Sequence, residues 1–364
     1  MNLTKISKFF IYLISLIVLI ELPSYLLWDK IVKNKNSAGV YNVKKIINSK
    51  DLNKIARIKS HPYSLYWNNE NFVYRNKKIY STNGYRSSEI NQNYDIHIFA
   101  MGGSTTNSYP YVKENKKIWT QILQDKLSKF LNKKVLVSNA GLSSATSQEL
   151  LIHFLQNAIY YKSDLIIIHT GGNDVGSLIF PDYKTDYSHI RSSSSGYERR
   201  YEKFILKYSF FLRIFYSFWL NENGIYKAYP FNPAKINNTE TIKRVEKNKS
   251  PAFKKNLSIL TREAINNGSS VLFVGYLQDT EKNRILKNSK EKNIEKAYTI
   301  GINKHHLIMR NIANKYEQYF LKLDSKKYEN FFLDQTHLNE NGHKKKANEI
   351  YEFILKKEIF LKTK

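Results

Sequence analysis

A serine, a histidine and a carboxylate stand in this chain where they can do acyl transfer. Ser104 lies in Phe99-Ala100-Met101-Gly102-Gly103-Ser104-Thr105, directly after the apolar run Asp95-Ile96-His97-Ile98-Phe99-Ala100. A serine on a glycine turn between a strand and a helix sits at a sheet edge with its hydroxyl exposed, and the following helix N-terminus favours negative charge beside it. Gly-Gly-Ser is also ordinary turn chemistry, so the chemical reading depends on partners. Asp334 and His337 supply them in Asp334-Gln335-Thr336-His337-Leu338-Asn339. A hydroxyl is a poor nucleophile until a base takes its proton. A histidine does this near neutral pH, and a carboxylate fixes the histidine tautomer and stabilises the imidazolium. Asp334 lies only three positions before His337, so one loop presents both side chains. The tetrahedral intermediate then needs donors. The backbone N–H groups of Ser104 and Gly141 and the side-chain amide of Asn173 are the candidates, each worth about 3 kcal/mol.

The other polar residues near these fragments read as structural. Asp174 is expected to support the turn, and His343 to lie on a helix face. His305 and His306 are expected on a helix surface, because no carboxylate at metal-ligand spacing accompanies them. No metal and no cofactor is expected. Arg86 either packs against the fold or touches an anionic substrate.

The elements that position these residues alternate regularly from residue 95. Expected strands cover 95–100, 134–138, 164–169, 270–276 and 319–323, and expected helices 116–131, 145–161, 251–267, 301–317 and 340–357. Strands alternating with helices imply a parallel sheet covered on both faces. In such folds the site lies at the carboxyl ends of the strands. Ser104, Gly141 and Asn173 follow the first three expected strands, and Asp334 and His337 precede the last helix. Residues 175–250 break the alternation with a serine run at 192–195 and the aromatic stretch Phe210-Phe211-Leu212-Arg213-Ile214-Phe215-Tyr216. That segment is expected as an insertion that caps the site, contacts a membrane, or packs as a helix on the core.

The amino terminus reads differently. Phe9 to Trp28 is nearly continuous apolar sequence, and twenty helical residues span about 30 Å, the thickness of a bilayer core. The run ends in Leu26-Leu27-Trp28 rather than at small residues, which favours an uncleaved anchor over a cleaved signal peptide. Tyr25 and Trp28 suit an interfacial belt. Glu21 inside the run is costly and calls for an interface or a partner helix. Lysines flank both ends, so charge does not set the orientation. The expected division is an anchor at 1–30, a stem and leading subdomain at 31–94, and a catalytic domain at 95–364.

The chain has 364 residues, no cysteine and a net charge of +27. Disulfides, cysteine zinc sites and a thiol nucleophile are therefore excluded. Its lysines are scattered, and no zinc finger, RNA-binding signature or arginine-rich arm accompanies them, so no nucleic-acid partner is expected. An anionic lipid or acidic polysaccharide suits the charge better.

Together the fragments resemble the SGNH/GDSL hydrolase superfamily. Met101-Gly102-Gly103-Ser104-Thr105, Asn139-Ala140-Gly141, Gly171-Gly172-Asn173-Asp174 and Asp334-x-x-His337 match its blocks, in family order. Gly-Gly-Ser-Thr replaces Gly-Asp-Ser-Leu, and Asn83-Gly84-Tyr85-Arg86-Ser87-Ser88-Glu89 resembles a motif found upstream in anchored relatives. The resemblance implies a flavodoxin-like three-layer α/β/α sandwich and ester hydrolysis through an acyl-serine. It implies Ser104 as nucleophile, His337 as base, Asp334 as its orienting carboxylate, and Ser104, Gly141 and Asn173 as the oxyanion hole. It further implies a catalytic domain outside the cytoplasm, acting on an acylated small molecule or polysaccharide. The expected function is removal of a small acyl group, such as O-acetyl, from a cell-envelope glycan. The alternatives are a lipase or thioesterase on acyl chains, an acyltransferase to a sugar hydroxyl, and a non-catalytic polysaccharide-assembly protein.

Overall fold

The structure is a computed structural model that describes residues 3–34, 40, 43, 44, 47, 57–61, 63–90, 93–190, 200–223, 240–279 and 289–360. The serine run at 192–195 lies outside the described residues. The chain divides into two compact units, residues 1–60 with 193–227, and residues 61–192 with 228–364.

In the larger unit the apolar runs become five parallel strands: β1 (Ile96–Gly102), β2 (Val135–Gly141), β3 (Leu165–His169), β4 (Ser270–Val274) and β5 (Tyr319–Leu321). Their spatial order is β2-β1-β3-β4-β5, the flavodoxin-like order. Every residue of β1, β2 and β3 is buried. This explains why these strands read as continuous apolar runs rather than alternating ones.

Successive side chains still serve opposite faces. On one face Ile96, Ile98 and Ala100 join Trp119 and Leu123 of helix Trp119–Leu131 and Ile350 of helix Glu340–Lys356. On the other face helix Ser147–Gln156 contacts β1, and helices Pro251–Asn266 and Ser289–Lys315 contact β4. Each fully buried Leu, Ile or Phe contributes about 1.5–3 kcal/mol. The α/β sandwich expected from the sequence is thus present. Two boundaries differ. The helix expected to reach 161 stops at Gln156, where Asn157 leaves helical geometry at φ −138°. The helix expected from 301 begins at Ser289, in a polar stretch with no apolar period to announce it.

The register sets up the site. Gly102 at the end of β1 stands opposite Gly141 of β2 and His169 of β3. The loops leaving these three strands therefore start at one level, at the switch point of the sheet. Ahead of the sheet, Val73–Tyr74 and Lys77–Lys78 form an antiparallel hairpin. Its turn residues Arg75 and Asn76 both have positive φ, 46° and 61°, as a two-residue type I′ turn requires. Phe72, Ile79, Tyr80 and Tyr109 pack together beneath it.

In the smaller unit, helix Leu3–Asn34 includes a span from Ile6 to Ile31 with mean hydropathy 2.1, long and apolar enough to cross a membrane. Glu21 has a partner helix. Its carboxylate accepts from the Ser209 hydroxyl and, at 2.6 Å, from the Phe210 N–H, capping helix Phe210–Asn223. Trp28 is buried against Val40, Val43 and Leu206 instead of standing free as an interfacial anchor. The aromatic stretch forms that capped helix, with Phe211, Phe215 and Phe218 exposed.

Candidate active site

Gly103 is the pivot between β1 and the one-turn helix Ser104–Asn107. A Cβ built on Gly103 would lie 2.6 Å from the Asn173 Nδ2, so only glycine lets the Asn173 amide come this close to the serine. Ser104 is half-buried and opens the helical turn, where first-turn N–H groups have no partner in their own helix.

His337 reaches Ser104 from the loop before the last helix. Its Nε2 is 2.8 Å from the Ser104 Oγ, and its Nδ1 is 2.8 Å and 2.9 Å from the two carboxylate oxygens of Asp334. Asp334 Oδ1 also accepts from the backbone N–H groups of Thr336 and His337, each at 2.9 Å. An ionised carboxylate only accepts, so Nδ1 carries the imidazole proton and Nε2 is the acceptor facing the serine hydroxyl. Burial opposes ionisation of Asp334. The hydrogen bonds from the His337 ring and from the Thr336 and His337 N–H groups outweigh it and hold the carboxyl well below its usual range. The loop is tied at both ends. Leu333 N–H donates to the His337 carbonyl at 2.7 Å, and the Asn339 side chain caps helix Glu340–Lys356.

The donor side is less uniform. Asn173 Nδ2 donates to the Ala145 carbonyl at 2.8 Å. An amide carries two hydrogens, so one N–H remains beyond that bond. Gly141 is placed differently from the expectation. Its N–H donates to Asn139 Oδ1 at 3.0 Å, and its carbonyl accepts from Asn68 and Asn107. A Cβ there would lie 2.2 Å from the Asn107 nitrogen. Gly141 thus lets β2 approach the turn that carries Ser104, and its N–H is already engaged. Beyond it, Ser144 adopts a positive φ of 60° in the loop whose Ala145 carbonyl holds Asn173.

Other residues brace this arrangement. Asp174 is buried and accepts from the Ser147 N–H at 3.0 Å, the Ser147 hydroxyl at 2.6 Å and the Tyr187 hydroxyl at 2.9 Å. Burial pushes its carboxyl up to about 6, against the pull of the Ser147 bonds. Arg86 is buried and donates to the Asn107 and Val112 carbonyls at 2.7 Å and 2.6 Å and to Asn115 Oδ1 at 2.9 Å. It clamps the segment after Ser104. Tyr111 carries no motif and was not legible from sequence. Its ring stacks on His337 with centroids 3.7 Å apart.

Two histidines expected at the surface, His305 and His306, are interior, and the helix face that carries His343 is a buried one. His305 donates through Nδ1 to the Gly171 carbonyl at 2.8 Å and stacks on Phe253. His306 accepts from the Tyr276 N–H at 2.8 Å. Burial lowers them to about 3 and about 4. His343 accepts from the Trp119 N–H at 3.2 Å. Helix Ser289–Lys315 contacts both helix Pro251–Asn266 and the sheet, so it has more than one buried face. Lys346 is also fully enclosed, 3.1 Å from His169 Nδ1 and 4.6 Å from the Trp119 ring centroid, and burial lowers its amine well below the usual lysine range.

A family model described as GDSL-like Lipase/Acylhydrolase matches residues 98–350. Among solved structures, the chain is similar to Axe2, an acetylxylan esterase from Geobacillus stearothermophilus, at 13% identity, covering 73% of this chain and 96% of that chain with a TM-score of 0.41. It is similar to LAE5, an alpha/beta hydrolase enzyme from the metagenome of Lake Arreo, Spain, at 14% identity, 71% and 94% coverage and a TM-score of 0.41. It is also similar to a protein of the G-D-S-L family from Desulfitobacterium hafniense DCB-2, at 14% identity, 71% and 99% coverage and a TM-score of 0.38. Among curated proteins no match was found.

Proposed function

Since the chain belongs to the GDSL-like lipase/acylhydrolase family and is an esterase of that kind, we propose that it is a membrane-anchored serine esterase that removes a small acyl group, acetyl first, from a cell-envelope glycan. The observation that carries the mechanism is the continuous relay from Ser104 Oγ through His337 to Asp334, with bonds of 2.8 Å on both sides of the imidazole.

In this reading Ser104 Oγ attacks the ester carbonyl while His337 Nε2 takes the hydroxyl proton. Asp334 stabilises the resulting imidazolium without becoming protonated. The Ser104 N–H and the free hydrogen of the Asn173 amide stabilise the oxyanion. Collapse breaks the ester C–O bond, and His337 returns its proton to the leaving alcohol. Water then attacks the acyl-serine by the same route and releases the acid. The glycan assignment rests on the cleft beside His337, which is lined mainly by lysine and tyrosine rather than aliphatic side chains. Such a lining suits a sugar better than an acyl chain.

The anchor rests on the Ile6–Ile31 span and on the capping of Glu21, which offsets the cost of a carboxylate in an apolar helix. The glycan substrate puts the catalytic unit outside the cytoplasm. Full-length protein is expected to stay with membranes in alkaline carbonate, to hydrolyse 4-nitrophenyl acetate, and to label at Ser104 with a fluorophosphonate. Ser104→Ala is expected to abolish both hydrolysis and labelling. Folded wild-type protein that neither labels nor hydrolyses would sink the proposal.

A further inference from the structure

Resting on the esterase reading above, we infer that the cleft beside His337 is a subsite for an anionic glycan. It holds the acylated chain by oxyanion groups on neighbouring sugars. The cleft encloses about 740 Å³ and is lined by Tyr74, Arg75, Lys77, Lys78, Tyr111 and Lys113 among others. Tyr111 joins it to the reacting groups, because the ring that lines the cleft also stacks on the imidazole that meets Ser104. A chain lying in the cleft is therefore separated from the base by the Tyr111 ring alone.

Its charge is not balanced internally. Lys116 and Lys117 are paired with Glu114, and Lys117 also with Glu340, at 3.0–3.6 Å. Arg75, Lys77, Lys78 and Lys113 have no carboxylate within ion-pair distance among the described residues, and all four are exposed. Arg75 and Lys113 both stand 5.4 Å from the Tyr74 ring centroid, which gathers two like charges around one aromatic ring. The arrangement is held in place. Arg75 is in the tight turn of the hairpin, Lys77 and Lys78 form its return strand, and Phe72, Ile79, Tyr80 and Tyr109 pack beneath. Cations fixed together in a cleft focus a positive potential on whatever enters it, and tyrosine faces suit the apolar faces of sugar rings. A neutral glycan would use only the rings.

The test is calorimetric binding to full-length Ser104→Ala protein in detergent, which removes turnover. The probes are a galacturonate hexamer, a glycerol-phosphate oligomer and neutral xylohexaose. Lys77→Gln/Lys78→Gln/Lys113→Gln is expected to weaken binding of the galacturonate hexamer by about tenfold. A charge-matched control on other exposed lysines, Lys129→Gln/Lys133→Gln/Lys254→Gln, is expected to stay within about twofold. Loss on the galacturonate arm supports the anionic glycan, whereas loss confined to the glycerol-phosphate arm assigns the cleft to a sugar-free phosphate polymer and overturns it. Equal weakening in both triple variants, no binding of either anion, or xylohexaose binding as tightly would overturn the inference. Hydrolysis of 4-nitrophenyl acetate by the unsubstituted protein reports separately on the esterase reading.

Discussion

The Tyr111 ring lies flat on the His337 imidazole, with centroids 3.7 Å apart and planes 12° apart. The stack holds the base at the angle where Nε2 meets Ser104 and Nδ1 meets Asp334. Removing it frees ring rotation without removing any proton carrier. Tyr111→Ala is expected to lower kcat about three- to tenfold, the worth of an aromatic pair, whereas Tyr111→Phe keeps the stack and stays near wild type. Steady-state kinetics on 4-nitrophenyl acetate checks this. A Tyr111→Phe loss as deep as the Tyr111→Ala loss would assign the effect to the hydroxyl.

Asp334 fixes the tautomer of His337, and its Oδ1 also holds the Thr336 and His337 N–H groups. Asp334→Asn keeps an oxygen for the backbone but lets the side chain present an N–H to the ring. The wrong tautomer then faces Ser104. The expected loss in kcat is about 10⁴-fold, by analogy with the same change in serine proteases. Circular dichroism should show an unchanged fold, and near-normal turnover would remove Asp334 from the relay.

Asn173 and Gly141 separate by variant. Asn173→Ala removes an amide donor beside Ser104 and is expected to cost about 10²- to 10³-fold in kcat, with modest loss of stability. Gly141→Ala puts a Cβ 2.2 Å from the Asn107 nitrogen. It is expected to appear as lost stability in thermal unfolding, because the approach is backbone to backbone. An unchanged melting temperature with lost activity would return Gly141 to the donor role.

Stability should fall in mild acid. Burial holds His153 and His305 at about 3 and His97 and His306 at about 4, against about 6.5 in an unfolded chain. The folded pKa values are depressed, so unfolding takes up protons below pH 6.5. The stabilisation is fully present above that pH and is lost as pH falls toward 4. At pH 5 each unfolded imidazole gains about 2 kcal/mol over the folded one. Asp174, raised to about 6, runs the other way. Its contribution is present below its unfolded value and is lost as pH rises through 6, which offsets part of one histidine. Denaturant midpoints should drop steadily from pH 7.5 to pH 5, and a flat profile would contradict the buried neutral histidines.

The sequence by itself determined most of the sheet, because β1 to β4 each carry an apolar run that stops at or near a glycine, and those signals are local. It also marked Ser104, Asp334 and His337. One loop carries Asp334 and His337, and a parallel sheet brings the carboxyl ends of its strands together whatever the loops contain. Tertiary structure alone decided which polar groups meet. Ser104 and His337 are 233 positions apart, and only the fold closes that gap to one hydrogen bond. Gly141 matched a motif, yet Asn139 in its own strand takes its N–H. Lys344, Lys345 and Lys346 are chemically equal in sequence. Helix phase leaves Lys344 exposed, covers Lys345 in part and turns Lys346 inward beside His169. Apolar periodicity is written along the chain, but the partner of a buried polar group is set by whatever distant element packs over it.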